Sequence, residues 1–363
     1  MSPSSNWMLY GANGYTGKAI AVEAVRRGER PVLAGRNGPV IEALGRDLQC
    51  PTRVFPLVSP HLIGRHLDGI GAVLHCAGPF AKTAEPMIDA CIDRGVHYLD
   101  ITGEIDVIEL AHARHAQAAS AGVTVMPAVG MDVVPSDCLA ARLATALPGA
   151  VRLELAFTAN WSLSRGTART IWLHLAQGGR IRRDGKIVSV PIAWKAREVP
   201  FPGGTRWAMT IPWGDVASAY YTTGIPTIEV YAAMPLGRLK LARRLRWLAP
   251  LSAFGPVQAA GRWWIDRRVR GPREEDRAGG RTEFWGRVTD AHGRAAQGAL
   301  ETPNGYRLTV ETALALLDEV LADRIRPGFQ TPAKALGAEF IERIPNVKLY
   351  EIRRCDDAPG REP

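Results

Sequence analysis

Cysteine is scarce in this 363-residue chain, and Cys50, Cys76, Cys91, Cys138 and Cys355 are odd in number with no CxxC or other metal-ligand spacing. A disulfide-stapled exported scaffold and a zinc site are therefore not expected; unpaired thiols in a reducing compartment are. The first ten residues hold no basic segment followed by an apolar core, so no export signal is read there and a cytoplasmic protein is expected. Long apolar runs are missing too. The longest uncharged stretch of the second half, 247–261, is broken by Pro250, Gly255 and Pro256 and falls short of the ~20 residues that a spanning helix needs, so no transmembrane helix is expected. There is no internal repeat, and only 356–363 reads as disordered.

What is present is an ordinary globular composition, 46% hydrophobic and 22% charged, in a chain long enough for two domains with a core each. The net charge of +9 is unevenly spread. Residues 161–207 carry nine Arg/Lys against two Asp/Glu, and 236–281 carry twelve against four, so the remainder of the chain is acidic. Nine of the ten tryptophans fall between Trp161 and Trp285, which places an aromatic-lined cavity or an interfacial surface in the basic half. The alternative is arginine stems lying over an ordinary core.

Apolar periodicity divides the chain into two styles. Trp7–Tyr10 reads as a strand, residues 17–27 as a helix, 30–34 as a strand and 40–48 as a helix. Strands at 52–57, 71–76, 98–100 and 124–126 then alternate with helices at 84–94 and 107–121. Such alternation predicts a parallel doubly wound α/β sheet of Rossmann type. Beyond Pro135 a helix is expected to Ala146, and strands at 151–158, 186–191, 207–211, 227–234 and 283–289 with longer links predict a second, mixed α+β domain. An apolar helix is expected at 309–322. The expected division is 1–135, 136–326 and a segment 327–355 that returns to the first domain.

The first chemical motif is Gly11-Ala-Asn13-Gly14-Tyr15-Thr16-Gly17, set between a strand and a helix. Glycines there permit a sharp turn and let a pyrophosphate approach a helix N-terminus, whose N–H groups and dipole favour negative charge. The residue closing the second strand reads the adenine ribose: an acid suits a 2′-hydroxyl, a cation a 2′-phosphate. Here it is Arg36, followed by Asn37, with no Asp or Glu from 31 to 40, so NADP is favoured over NAD. The fourth strand ends in Cys76-Ala77-Gly78-Pro79-Phe80, small residues that let backbone meet coenzyme at the point where strand order reverses, with Pro79 and Phe80 walling the nicotinamide side.

These motifs together with AGRN, His97-Tyr-Leu-Asp100-Ile-Thr-Gly103-Glu104 and Gly130-Met-Asp132-Val-Val-Pro135-Ser-Asp137 resemble the saccharopine dehydrogenase-like oxidoreductases. Gly271-Pro-Arg-Glu-Glu-Asp-Arg277, Thr302-Pro-Asn-Gly305-Tyr306 and Gly328-Phe-Gln-Thr331-Pro332, with Leu336-Gly337 and Phe340, are similar to the branch that contains trans-acting enoyl reductases of polyketide lipid synthesis. The chain departs from the family at Ser164-Arg-Gly166-Thr167-Ala-Arg-Thr170, where a small residue usually stands for Arg165 and often a serine for Thr170, a difference that bears on the substrate. The resemblance implies a Rossmann domain, a second domain covering the nicotinamide, and NADPH as hydride donor, with Gly103 among the coenzyme-contacting residues.

A reductase also needs a proton donor. Tyr98, Asp100, Glu104, Asp132 and Asp137 are the titratable groups at strand ends on the coenzyme side. Asp132 and Asp137 flank a helix start and so are equally candidates for capping, while Asp100 and Glu104 are candidates for ordering a loop. Cys76, Cys138, His97 and His174 lack sequence neighbours that would activate them and are read as structural. The expected activity is hydride transfer from NADPH to a hydrophobic, acyl- or polyketide-like unsaturated substrate, delivered by an acidic acyl carrier protein. The alternatives are an amino-acid imine reductase and a non-catalytic NADP-binding protein that docks on lipid through the basic stretch from 236 to 270, where Leu241, Leu245 and Leu248 share a helical face. A homodimer is compatible with the sequence. Nucleic acid is not expected, because no recognition motif accompanies the pI of 9.6.

Overall fold

The computed structural model describes residues 6–158, 168–169, 172, 178–269 and 280–355. Trp161, Ser164 to Thr167, Thr170, His174, the 271–277 motif and the tail from 356 lie outside the described residues. The chain forms two compact units, 1–134 with 306–336 and 135–305 with 337–363.

The first unit is built on a parallel sheet. Its strands are β1 (Trp7–Tyr10), β2 (Val32–Gly35), β3 (Thr52–Val54), β4 (Ala72–His75), β5 (His97–Asp100) and β6 (Thr124–Met126). They lie in the order β3-β2-β1-β4-β5-β6, extended beyond β6 by the two-residue strand Gly328–Phe329. Every residue of β1, β2, β4, β5 and β6 is buried, as expected of central strands covered on both faces. The strand order reverses between β1 and β4, and in such sheets ligands bind outside the carboxyl ends at that place. Helices α1 (Tyr15–Arg26), α2 (Gly38–Leu48), α3 (Pro60–Gly64) and α4 (Ala84–Arg94) connect the strands. The helix expected at 107–121 is two, α5 (Ile105–Ala113) and α6 (His115–Ser120), with Arg114 between them. α7 (Val134–Ala146) leads out of the unit.

The helix Gly305–Leu321, expected in the second domain, packs from Tyr306 onward in the first unit. The Thr312 hydroxyl donates to Val129 O at 2.8 Å and Met131 N–H donates to Thr309 Oγ1 at 3.0 Å. Its buried Leu308, Ala313, Leu316, Leu317 and Val320 supply the apolar face that fixes it there. The segment after 327 also divides differently from expectation. Gly328–Phe329 joins β6, but Lys348–Leu349 and Arg353–Cys355 pair with a strand of the second unit.

That unit holds a mixed sheet. Its strands include β7 (Ala150–Thr158), β8 (Gly179–Arg183), β9 (Lys186–Val190), β10 (Ala196–Phe201), β11 (Gly204–Thr210), β12 (Thr227–Ala233), β13 (Arg281–Asp290) and β14 (Ala295–Pro303). The order β10-β11-β12-β7-β13-β14 is antiparallel except for β12 beside β7. β14 lacks β-branched residues over most of its length and escapes the propensity reading; nine residues of pairing with β13 and inward Ala296, Gly298, Leu300 and Thr302 hold it. Trp285 is in the core of this unit, whereas Trp247, Trp263 and Trp264 are exposed. No described helix is long and apolar enough to cross a membrane.

Candidate coenzyme site

β1 ends on Gly11, which has φ +84° and donates its N–H to Ala34 O at 2.8 Å. A Cβ at this glycine would stand 2.8 Å from Ala77 N and from Cys76 C, so the turn after β1 and the loop after β4 touch backbone to backbone. Gly14 N–H donates to Gly11 O at 2.9 Å, and a Cβ at Gly17 would lie 2.3 Å from Gly11 O, so the first turn of α1 is drawn down on the turn. No acid occupies that first turn. Its N–H groups have no acceptor within the helix and point where a diphosphate would sit. Tyr15 and Thr16 are partly exposed beside them, and the Tyr15 ring meets Tyr306 edge-on at 4.7 Å.

Arg36 and Asn37 follow β2 and are both exposed. Asn13 lies alongside, its Oδ1 3.3 Å from where a Cβ on Gly35 would be. Among the described residues no carboxylate pairs with Arg36, whereas Arg27 pairs with Glu23 and Glu311. A glycine cradle and an uncompensated guanidinium at the end of β2 fit a dinucleotide with a 2′-phosphate.

The carboxyl ends of β4, β5 and β6 carry the other expected residues. Cys76 and Ala77 are partly exposed, Gly78 is exposed, and Phe80 is buried. Glu104 takes the Phe80 and Ala81 N–H groups on its two oxygens, at 2.8 Å each, and thereby pins the loop after β4 to that after β5. Asp100 is fully buried; Oδ1 accepts from Thr102 N and Ala128 N, both at 2.9 Å, and Oδ2 accepts from the Tyr98 hydroxyl at 2.7 Å. Burial pushes the Asp100 carboxyl up to about 6 against the pull of those donors. The Tyr98 oxygen is 3.1 Å from His75 Nδ1. Burial lowers His75 to about 3, so the imidazole is neutral. Tyr98 is itself raised, by burial first and then by Asp100.

Asp132 differs from these three. It is partly exposed, it touches Gly103, where a Cβ would come 2.9 Å from its Oδ2, and the protein packed round it raises its carboxyl to about 7. Asp137 in the first turn of α7 is buried and accepts from the Thr222 hydroxyl at 2.6 Å. Burial pushes the Cys76 and Cys138 thiols up, as expected of unreactive cysteines. His97 Nδ1 accepts from Thr124 N–H at 3.0 Å, a strand-to-strand tie. His75, Tyr306 and Thr309 were not singled out by the sequence as site residues. Tyr306 lies 291 residues beyond Tyr15 and Thr309 lies 178 beyond Met131, and His75 carries no motif around it; only Tyr306 had a signal, in the Thr302-to-Tyr306 motif.

The family model described as the saccharopine dehydrogenase NADP-binding domain matches residues 7–126. Over this segment the chain is similar to the NADP-binding domain of the saccharopine dehydrogenases. The match ends with β6, so it covers the glycine cradle, Arg36 and the loops after β4 and β5. A saccharopine dehydrogenase-like oxidoreductase of Arabidopsis thaliana is 31% identical over 152 residues, 37% of this chain and 34% of that protein. A Mycobacterium tuberculosis protein named as a trans-acting enoyl reductase is 31% identical over 138 residues, 36% of this chain and 33% of that protein. The likeness thus spans about a third of these relatives' length. Over the whole chain the likeness is one of fold: saccharopine dehydrogenase (L-Glu forming) of Saccharomyces cerevisiae aligns with a TM-score of 0.65 across 96% of this chain and 99% of that one, at 13% identity. Among the described residues no cluster of His, Cys, Asp or Glu is arranged to hold a metal.

Proposed function

We propose that the protein is an NADPH-dependent reductase of an unsaturated acyl substrate, with Asp132 as proton donor. The observation that carries the reading is Arg36, an exposed cation with no carboxylate partner among the described residues, beside a glycine cradle of the NADP-binding family. Bound NADPH supplies the hydride. The first turn of α1 holds the diphosphate and Arg36 the 2′-phosphate. Glu104 and Asp100 fix the loops after β4, β5 and β6 through the backbone N–H groups they accept. Asp132, partly exposed beside Gly103, is the acid: a carboxyl raised to about 7 is about half protonated at neutrality and able to give a proton to the carbon next to the one that takes the hydride. The acyl class is supported by the enoyl-reductase name of the mycobacterial relative. The four described cysteines with placed side chains are free thiols, which supports a reducing compartment such as the cytoplasm.

The test is loss of NADPH absorbance with enoyl thioesters, cyclic imines and ketones offered in turn. Turnover of enoyl thioesters alone is expected; turnover of imines alone would move the chain to the amino-acid imine reductases, and none with any class would leave a coenzyme-binding protein without catalysis. Asp132→Asn is expected to lower kcat by roughly 10²-fold or more with little change in coenzyme affinity. Activity of the parent should fall as pH rises through about 7, where Asp132 loses its proton, and that limb should vanish in the variant.

A further inference from the structure

Residues 236–268 form three successive, mutually packed helical pieces of the second unit: Leu236–Leu245, the 3-10 turn Arg246–Ala253 and Gly255–Arg268. They hold eight Lys/Arg and one acid, Asp266, which is paired with Arg169 at 2.6 Å. Leu239, Ser252 and Ile265 are the buried side chains described in this stretch. Five other large apolar side chains face outward: Trp247 is 76% exposed, Phe254 65%, Leu251 61%, and Trp263 and Trp264 56% each. Arginines stack on two of these indoles, Arg267 over Trp263 at 4.2 Å and Arg246 over Trp247 at 5.1 Å. The last helix is in contact with Trp172: Trp172 and Gln258 exchange hydrogen bonds at 3.3 and 3.2 Å and the Trp172 ring fills the space over Gly261.

From this surface we infer that residues 236–268 dock the protein on an anionic membrane, lying in the headgroup layer without crossing it. Protruding tryptophan, phenylalanine and leucine among arginines is the composition that partitions to a lipid interface: rings settle at headgroup depth and guanidinium groups reach the phosphates. The charge complement of eight cations is an anionic surface, and Pro250, Gly255 and Pro256 interrupt the stretch so that it can only lie flat. An acidic carrier protein matches the charge but gives no reason for five separately protruding large apolar side chains. The inference is independent of which bond the enzyme reduces.

The experiment is flotation of the full chain with vesicles of phosphatidylcholine containing phosphatidylglycerol, against phosphatidylcholine alone. Binding to the anionic vesicles is expected, weakened by salt, with each cation at the surface worth about fivefold in partition. A variant combining Trp247→Ala, Phe254→Ala, Trp263→Ala and Trp264→Ala should lose at least about tenfold in partition with its circular dichroism melt and NADPH affinity retained. In the parent chain, brominated lipid should quench tryptophan fluorescence, a readout that needs no variant. No binding to anionic vesicles, equal binding by a folded four-alanine variant, or no quenching would each overturn the inference. Saturable binding of a purified acidic acyl carrier protein in place of vesicles would overturn it as well, and would assign the surface to that partner.

Discussion

Replacing Asp100 tests how the loops of the coenzyme site are held. Asp100→Ala strands the N–H groups of Thr102 and Ala128 and the hydroxyl of Tyr98, all donors to a side chain of 0% exposure. A buried donor left without an acceptor costs about 1–3 kcal/mol, so with incomplete additivity the loss near neutrality is on the order of 3–6 kcal/mol. The size depends on pH, because burial raises the carboxyl from 3.8 to about 6. The folded state then binds the proton more tightly than the unfolded one. The parent is accordingly most stable below about pH 4 and loses up to about 3 kcal/mol of this contribution as pH rises through about 6. Alanine has no such slope, so its penalty grows toward acid. Asp100→Asn behaves differently: Oδ1 still accepts both N–H groups, while the amide NH₂ meets the Tyr98 oxygen, and Tyr98 turns its proton to His75 Nδ1 at 3.1 Å. For Nδ1 to accept, the neutral imidazole must carry its proton on Nε2. Asparagine should therefore cost less than about 2 kcal/mol and remove the slope. Urea unfolding at several pH values, read as midpoint shifts because the chain has two units, measures both effects. The reasoning is refuted if alanine costs no more than the ~0.5 kcal/mol of a surface change, or if asparagine keeps the parent's slope.

Two further substitutions probe the coenzyme cradle. Arg36→Ala should weaken NADPH about 10- to 100-fold by calorimetry, the worth of a bidentate charge-assisted contact, and leave NADH within about twofold; an equal loss for both coenzymes would remove the 2′-phosphate assignment. Gly11→Ala places a Cβ 2.8 Å from two backbone atoms at φ +84°, whereas Gly28→Ala meets nothing within 4 Å at φ +88°. The second should cost about 1–2 kcal/mol for the left-handed backbone alone, and the first roughly 1–3 kcal/mol more with coenzyme binding lost; equal thermal shifts for the two would show that the backbone contact does not matter.

The Rossmann half was legible in the sequence because its signals are local. The strand, glycine turn and helix at 7–26 are consecutive, and Arg36 closes the next strand, so their relation follows from a crossover of about thirty residues. The strands β8, β10 and β14 were not legible, for Gly179–Arg183, Ala196–Phe201 and Ala295–Pro303 owe their conformation to neighbours on the sheet rather than to their own side chains. The same limit applied to the helix Gly305–Leu321, whose apolar stripe announced a buried helix but not the surface that buries it.

Composition and spacing alone determined a parallel sheet with a glycine turn after its first strand, a cation in place of an acid at the end of the second, and a basic, tryptophan-rich second half, since each is a property of residues close in sequence. Tertiary structure decided which partners the candidate residues have. Of five acidic or phenolic candidates, Tyr98, Asp100, Glu104 and Asp137 hold hydrogen bonds to residues 2 to 85 positions away, and Asp132 is half-buried with a raised affinity for its proton. Burial and partners set what a titratable group can do, and both are fixed only when distant parts of the chain come together.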